Sequence, residues 1–258
     1  MQNKRGISAV VVVKNEEGRI QRCLESIKWV NEIIIVDNGS TDSTLEICSK
    51  FTDKIFFHDS PFTGIKVNYG IEKASFEWIL NIDADEVVSN DLKDEICSLV
   101  RIDKGIYNAY SLPFRFLFMG RWLRHGGWYP SYTKRFYKNG KARYTVAGHH
   151  IQVKIDGKVG CLNNPILHDG TADIDTFLTK MNTYTTNSSR VNFNKKKIAW
   201  FNILLRPLLI FIKRYFLLRG FLDGFPGFAI ATLSAIYIFV DNIKFKERGY
   251  IMSRQNKK

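Results

Sequence analysis

Residues 77–86 read EWILNIDADE, an apolar run typical of a buried strand that ends in a cluster of acids. Asp83, Asp85 and Glu86 lie close together here, although the whole chain carries a formal net charge of +13. Carboxylates repel one another, and burying them costs free energy unless a cation or another partner compensates. The cluster therefore has two interpretations: a solvated loop that caps the next helix, or a site for a divalent cation bound to phosphate.

Strand-like and helix-like segments alternate before this stretch. Strands are expected where β-branched and aliphatic residues run together, at 7–13, 33–36, 54–58 and 77–83. Apolar residues at helical spacing are clearest in 20–27. The alternation predicts an α/β fold, with a mostly parallel, twisted sheet flanked by helices. Shorter strands separated by Gly, Pro and Asn turns follow residue 105, and a helix is expected at 173–192.

Polar side chains follow each of the four predicted strands. They are, in strand order, Lys14, Asn15 and Glu16; Asp37, Asn38 and Asp42; His58 and Asp59; and Asp83, Asp85 and Glu86. Ligands of open α/β sheets bind beyond the carboxyl ends of the strands, so these groups are expected on one rim. Carboxylate oxygens suit Mg²⁺ or Mn²⁺, with ligand phosphates completing the shell. For Asp37 alone, capping of the following helix is an equal alternative.

Two common nucleotide-binding motifs are missing from the sequence. There is no GxxxxGK[ST], which excludes a P-loop site, and no GxGxxG after the first strand, which argues against a dinucleotide fold. The four cysteines are widely spaced without a CxxC pair, so we expect a reduced, cytosolic protein without a zinc cluster. The N-terminal apolar run is too short for a signal peptide.

The basic excess is concentrated in residues 195–258, with about 13 basic residues against 3 acidic ones. Two very apolar segments, 198–218 and 225–240, lie in this tail, and Pro207 is expected to kink or restart a helix. The second segment is an uncharged run of about 16 residues, short of the ~20 that span a bilayer. We expect a helical tail on an anionic membrane surface, not a nucleic-acid-binding one. A helix pair covering the sheet, a homo-oligomer interface and a true span are the alternatives.

The ordered motifs AVVVVKNEE (9–17), IIIVDNGSTDST (33–44) and WILNIDADE (78–86) resemble family 2 glycosyltransferases of the GT-A fold. The last contains the family's Asp-x-Asp motif. Further motifs extend the resemblance to the branch with bacterial lipopolysaccharide-core β-glucosyltransferases, namely GRWLRHGGWYPSYTKRFYKNG (120–140), NPILHDG (164–170) and LLRGFLDGFPGF (217–228).

The resemblance implies a catalytic domain at 1–194, with a nucleotide-sugar-binding half at 1–105 and an acceptor half at 106–194. Residues 195–258 form the membrane-associating tail. The implied activity is inverting transfer from a nucleotide-sugar, expected to be UDP-linked, with Mn²⁺ or Mg²⁺ as cofactor. The implied acceptor is a lipid-linked or cell-envelope saccharide, such as lipopolysaccharide core or capsule, at the cytoplasmic face of the membrane.

The resemblance also assigns roles to residues of this sequence. The nucleotide-sugar would contact Lys14, Asn15, Glu16, Asp37, Asn68, Asp83 and Arg135. The metal would contact Asp85, Asp83 and His168, although a strand-end packing role is an equal alternative for His168. The acceptor would contact Arg121, Arg124, His125, Trp128 and Tyr129.

The sequence departs from this branch at the catalytic base. A Val-His-Glu-like motif is expected before a late strand, but residues 145–157 read TVAGHHIQVKIDG and contain no Glu. Our hypothesis is that His150 is the base, with His149 and Asp169 as further candidates, since histidine can accept a proton near neutral pH. Alternatively, the metal-diphosphate geometry carries most of the catalysis, the activity is weak or lost, or both histidines belong to a surface turn.

Two rival functions follow from these features. A sugar nucleotidyltransferase would need a Gly-rich loop after the first strand, and VVKNEEG (12–18) does not supply one. A glycosyltransferase-like scaffold that binds without turnover is the non-enzyme rival, and the missing Glu is the feature that favours it.

Overall fold

The computed structural model describes residues 4–147, 150–168, 174–191 and 199–255. The chain forms two compact units, and each is interrupted in sequence. The first contains Met1–Arg115 and Ser131–Gly170, and the second contains Phe116–Pro130 and Thr171–Lys258. The predicted boundaries at residues 105 and 194 separate segments by their expected function. The two compact units show only which segments pack together, so these boundaries stay a prediction.

The first unit is built on one mixed sheet. Its strands, among the described residues, are β1 (Lys4–Val13), β2 (Glu32–Asp37), β3 (Ile55–Phe57), β4 (Phe76–Asp83), β5 (Glu86–Val88), β6 (Ala109–Arg115), β9 (Ser131–Lys138), β12 (Val159–Cys161) and β13 (Ile166–His168), numbered along the whole chain. The order is β3-β2-β1-β4-β9-β6-β13-β5, and β12 pairs with β6. The first four strands in this order are parallel, as the alternating pattern predicts. A separate antiparallel ribbon joins β10 (Ala142–Ala147) to β11 (His150–Ile155).

Helices pack on this sheet through the apolar residues that the sequence pattern identified. They are α1 (Ile20–Ile27), α2 (Thr44–Ser49), α3 (Thr63–Glu72) and α4 (Asn90–Ile102). Helix α4 begins after Ser89, whose hydroxyl accepts a hydrogen bond from Leu92 N. Helix α3 lies so close to β1 that a Cβ atom on Gly70 would meet Val10 at 2.5 Å, which explains glycine there. The predicted α/β class with a mostly parallel, helix-flanked sheet is confirmed.

The second unit is largely helical. It contains the short pair β7 (Leu117–Phe118) and β8 (Arg121–Trp122), with α5 (Ile174–Val191), α6 (Trp200–Ile212) and α7 (Gly224–Gln255). Phe118, Leu123 and Ile230 form its buried cluster, so residues early in the unit pack against the last helix. Helix α6 continues through Pro207, so of the two expectations for that residue, a kink or a restart, the restart was wrong. The irregularity comes later, in the π-helical segment Lys213–Leu217.

The last helical stretch of the chain is long. Within the described residues, Gly220–Met252 is the one helix long and apolar enough, by length and composition, to cross a membrane. Only 28% of its most apolar window is buried inside the protein, so much of its apolar surface lacks a protein partner. That surface is considered further below.

Candidate active site

The carboxyl ends of the parallel strands bring the predicted acids to one rim. Val13 of β1 is in register with Asp37 of β2, and the preceding residue, Val12, is in register with Asp83 of β4. On the far side of β2, Asp37 is in register with Phe57, the residue before His58. The shared rim predicted from four successive strand ends therefore follows from the register of the sheet.

Arg135 is the centre of the acid cluster. Its guanidinium contacts both carboxylate oxygens of Asp83, through a 3.1 Å hydrogen bond from Nη1 and a second bond from Nη2, and Nη2 also lies 2.9 Å from Glu86. Glu86 is fully buried, and its Oε2 accepts a 2.7 Å hydrogen bond from Asp83 N. Burial raises the pKa of Glu86 to about 7, although Arg135 opposes this. Arg135 was predicted near phosphate, and here it joins β9 to the Asp-x-Asp segment.

Asp85 is the most suitable described residue for a divalent cation. Its side chain is 21% exposed, and Arg19 Nη1 lies 3.7 Å from its carboxylate. Within the described ranges, no group of three or more His, Cys, Asp and Glu side chains forms a metal-binding cluster. One or two carboxylates are enough for Mg²⁺ or Mn²⁺ when substrate phosphates supply the other oxygens. The side chains of Asp85 and Asp83 are both partly exposed and could supply these carboxylates, so the residues fit such a metal.

His168 is brought next to this cluster by strand pairing. In the antiparallel pair of β13 and β5, His168 is in register with Glu86, one residue beyond Asp85. The backbone of residue 168 is thus beside the acids, while its side chain is not among those described. Strand β11 begins at His150, whose side chain is likewise undescribed, and His149 and Asp169 lie outside the described residues. The assignment of the base stays a prediction.

The loops that follow β1 and β2 hold each other in place. Asn15, at φ 53°, accepts a 2.8 Å hydrogen bond from Thr41 N through its side chain. Asp37 is buried, and its carboxylate accepts hydrogen bonds from Gly39 N and from both N and Oγ of Ser40. It shapes its own loop and does not cap α2, which begins after Ser43.

A second set of contacts joins the same two loops. Glu16 N donates to Thr44 Oγ1 at 2.8 Å, and Glu17 accepts from Ser43 N at 3.0 Å. Hydrogen bonds from Thr44 lower the pKa of Asp42, and the bond from the Thr44 hydroxyl is the main cause. The loops therefore form a preorganised edge in which the backbone, and not only Asp37, presents polar groups.

A buried lysine lies beside this edge. Lys66 of α3 is 7% exposed, and burial together with the charge of Lys14 lowers its pKa, while Asp59 opposes this. In the amide orientation that satisfies its neighbours, Asn38 accepts a hydrogen bond from Lys66 Nζ at 3.3 Å. Two lysines at one corner of the rim provide positive charge suited to a phosphate-bearing ligand.

A cleft of about 270 Å³ opens in the first unit next to the acid cluster. Its polar lining includes Asn81, Asp83, Arg135 and Tyr144. The amide of Asn68 fixes the neighbouring wall, since it donates to the carbonyl of Tyr144 at 2.8 Å and accepts from Tyr144 N at 2.9 Å. Asn68, predicted to lie near the donor, therefore ties α3 to β10.

The second unit contains the residues expected on the acceptor side. His125 is held twice by the buried Asp223, whose carboxylate oxygens contact His125 N at 2.8 Å and Nδ1 at 2.9 Å. The bond from a carboxylate to Nδ1 fixes the ring and favours the tautomer whose Nε2 accepts a proton. Arg121, in β8, is exposed.

The other predicted acceptor residues form aromatic contacts. The guanidinium of Arg124 lies 4.3 Å from the ring centre of Trp122, and Tyr129 packs edge-on against the same indole at 5.0 Å. Trp128 stacks on Phe116 at 4.8 Å. Flat aromatic surfaces beside charged and polar groups are suited to binding amphipathic ligands such as sugars and lipids.

The sequence reading missed three participants in these clusters. Glu86 was placed among the acids of the rim, but its role as the buried partner of Arg135 was not anticipated. Asp223 lay inside a quoted motif without a role, and Lys66 was not singled out. The acid cluster and the LDGF segment contained signals for the first two, but a sequence does not show which distant side chain pairs with them.

Parallel strands that end at this acid-lined rim match the arrangement predicted from the glycosyltransferase-like motifs. The profile of glycosyl transferase family 2 matches residues 8–154, more than half of the chain, and the chain belongs to that family. The lipopolysaccharide core biosynthesis glycosyltransferase LpsC of Rhizobium meliloti is 27% identical over 98% of this chain and 96% of its own length. An uncharacterised glycosyltransferase of Rickettsia felis is 29% identical over 93% of this chain and 89% of its own.

A solved structure of a protein from S. aureus is similar to this chain. The crystal structure of TarS 1–349 from S. aureus covers 96% of this chain and 91% of its own, at 14% identity and a TM-score of 0.48. The resemblance to family 2 glycosyltransferases that the motifs indicated is confirmed by the family match.

Proposed function

We propose that this protein is an inverting glycosyltransferase that moves a sugar from a UDP-sugar to a lipid-linked or cell-envelope saccharide. The observation that carries the proposal is the rim on which the strand ends place Asp37 and Asp83 on either side of β1, with a polar cleft lined by Asp83. Similarity to LpsC, a protein named for lipopolysaccharide core biosynthesis, supports an envelope acceptor.

The first unit supplies the donor site in this proposal. The base and ribose bind along the loops after β1 and β2, where Asp37 and the backbone around Ser40 offer hydrogen bonds. Lys14 and Lys66 attract the diphosphate. Arg135 holds Asp83 in a fixed orientation through its forked contact.

Asp85, with Asp83 and His168 beside it, would hold the divalent cation. Bound there, Mn²⁺ or Mg²⁺ would neutralise negative charge that develops on the departing diphosphate. The protein's own contribution is to fix these oxygens on the rim before the donor arrives, which avoids reorganisation during the reaction.

The transfer forms one bond and breaks one. An acceptor hydroxyl oxygen attacks the anomeric carbon from the face opposite the diphosphate, and the bond from that carbon to the diphosphate oxygen breaks. The hydroxyl proton passes to a base, for which we propose His150, with His149 and Asp169 as the alternatives. UDP leaves with the electron pair of the broken bond.

The second unit supplies membrane attachment in this proposal. We define its apolar face as the exposed residues Trp200, Leu204, Leu208, Leu217 and Phe225. Arg206, Lys213 and Arg219 are exposed along the same segments. Apolar side chains interspersed with basic ones are suited to an anionic bilayer surface, where the enzyme would lie on the cytoplasmic side.

A donor screen tests the proposal. The full chain is titrated with UDP-, GDP- and CDP-sugars with and without Mn²⁺ while thermal unfolding is followed, because a ligand that binds the native state raises Tm. We expect UDP-sugars with Mn²⁺ to give the largest shift. Asp94→Asn, an exposed change on α4, is the control for Asp85→Asn, which should abolish the contribution of Mn²⁺.

Turnover is tested by adding envelope extract and measuring UDP release. Acceptor-dependent release supports a transferase with this donor. Saturable binding of UDP-sugars without acceptor-dependent release would instead support the scaffold function. Preference for another nucleotide would overturn the UDP assignment but would not change the proposed class of enzyme.

A further inference from the structure

The second unit contains a partly open cavity that the proposed chemistry of the first unit does not use. Its volume is about 420 Å³, within the roughly 300–1,000 Å³ of small-molecule sites. Most of its wall is apolar or aromatic, and it includes Phe116, Trp128, Phe177, Met181, Ile210 and Ile238. A wall of this composition favours a hydrocarbon chain over a sugar.

One charged group in the wall stands out. Arg214 is half-buried, its Nη1 donates to the carbonyl of Gly126 at 3.0 Å, and its guanidinium lies 4.9 Å from the ring centre of Trp128. Burial lowers the pKa of Arg214. Among the ion pairs of the described residues, none joins Arg214 to a carboxylate. A half-buried cation without a counter-charge is costly, and a bound anion would offset that cost.

Other polar groups lie in the same wall. Lys180 is exposed and adds a second positive charge, while Tyr184 and Tyr237 add phenolic hydroxyls. The hydroxyl of Ser234 donates to the carbonyl of Ile230 at 2.7 Å, so it is already satisfied within its helix. The cavity therefore combines an apolar wall with a cationic portion, which is the complement of an anionic amphiphile.

The surroundings indicate how such a molecule would arrive. The apolar face defined above belongs to the same unit, and residues such as Leu217 and Trp200 are 74% and 68% exposed. Large apolar patches with basic residues among them mark membrane or partner sites. A unit that lies on a bilayer would receive its ligand from the lipid phase.

We propose that this cavity binds the apolar chain of a phosphate-bearing lipid, with Arg214 at the phosphate. The inference rests on the proposed function in one respect, since such a lipid would be the carrier of the acceptor saccharide. The same chemistry is available from a bilayer phospholipid, and the experiment separates the two sources.

The test uses the full chain and decyl phosphate below its micelle concentration, followed by isothermal titration. We expect saturable binding, weaker binding of decanol and no binding of inorganic phosphate at the same concentrations. Arg214→Gln should weaken decyl phosphate binding by about 10-fold or more, because a charge-assisted hydrogen bond is lost. Arg101→Gln, which removes the same charge from an exposed arginine of α4 in the first unit, should leave the affinity within about twofold.

A second variant tests the cavity independently of charge. Ser234→Leu adds apolar volume at a buried position in the wall and should weaken both decyl phosphate and decanol. Equal affinities of the Arg214→Gln and Arg101→Gln proteins would overturn the role of Arg214. Unchanged binding in a folded Ser234→Leu protein would overturn the location.

Displacement of bound decyl phosphate identifies the source of the lipid. Displacement by farnesyl diphosphate supports an isoprenoid carrier, displacement by phosphatidylglycerol supports a bilayer lipid, and displacement by neither overturns the proposal. UDP binding is measured on the same wild-type sample. If decyl phosphate binds and UDP does not, the proposed function is overturned and the lipid-binding cavity is supported. If UDP binds and decyl phosphate does not, the lipid-binding cavity is overturned and the proposed function is supported.

Discussion

Arg135 and Asp83 are joined by a two-pronged contact in which each nitrogen of the guanidinium fork faces one carboxylate oxygen. The same guanidinium also contacts the buried Glu86, so that one cation is shared by two acids. Burial alone would lower the pKa of Arg135, but Glu86 and then Asp83 raise it above its ordinary value. The arginine is therefore permanently charged, and it sets the shape of the rim.

Arg135→Lys is expected to reduce kcat/KM for sugar transfer by about 10²-fold, because an ammonium cannot hold both oxygens of Asp83 and Glu86 together. Steady-state UDP release measures the effect. Arg101→Lys, an exposed change at the end of α4, is the matched control and should be neutral. Near-normal transfer by the Arg135→Lys protein would show that the forked contact does not organise the site.

Asp85→Asn is expected to lower kcat by about 10²–10³-fold, comparable to the loss of one group that stabilises a developing charge. The substitution keeps the size of the side chain and removes its negative charge. Activity is measured across a Mn²⁺ titration, and no concentration should restore it. Recovery at high Mn²⁺ would indicate that another residue binds the cation, whereas Asp94→Asn should behave as wild type.

Glu32 is expected to make stability sensitive to acid. Burial would raise its pKa, but Lys54, Ser75 and Ser8 outweigh this, and the pKa lies below its ordinary value of 4.5. A lowered pKa in the folded state contributes stability that is present above pH 4.5 and is lost as pH falls further. Glu32→Gln should therefore cost about 2 kcal/mol at pH 7, and less below pH 4.5.

Urea unfolding from pH 3 to pH 8 measures this difference. Glu46→Gln is the control, because Glu46 pairs with Lys50 at an exposed position and should change stability by less than about 0.5 kcal/mol. A constant difference between wild type and Glu32→Gln across the acid range would contradict the lowered pKa.

Leu204→Glu combined with Leu208→Glu is expected to weaken binding to phosphatidylglycerol vesicles by roughly 10-fold or more, since two exposed leucines lose their transfer to an apolar phase. Vesicle sedimentation measures the bound fraction. Ile102→Glu combined with Ile106→Glu places the same two charges on exposed apolar residues of the first unit and should leave binding intact. An equal loss of vesicle binding in both proteins would indicate that charge repulsion, and not a specific apolar face, controls the binding.

The parallel half of the fold was accessible from the sequence because its signals are local. The run of valines in β1 and the helical spacing of apolar residues in α1 each predict which residues are buried. Pairing of the strands then brings their ends together. The pairs Arg135–Glu86 and His125–Asp223 were not accessible, because their partners lie 49 and 98 residues apart. Pairing at that distance depends on tertiary structure that no local pattern encodes.

Sequence reasoning also failed to show which segments pack together. Residues 120–140 were quoted as one motif, but Phe116–Pro130 belongs to the C-terminal unit and Ser131–Lys138 is a strand of the central sheet. Strand β9 belongs to the central sheet because it pairs with both β4 and β6. Hydrogen bonding to two neighbours therefore determined the division, and composition did not reveal it.

The interrupted second unit has a consequence for synthesis on the ribosome. Phe118 and Leu123 pack on Ile230, which is made about 100 residues later. At roughly 5–20 residues per second, these side chains wait about 5–20 s for their partner. The sheet can assemble as soon as residue 168 emerges, whereas the segment between β6 and β9 stays exposed during that interval. A chaperone that recognises nascent apolar chain would find its binding site there.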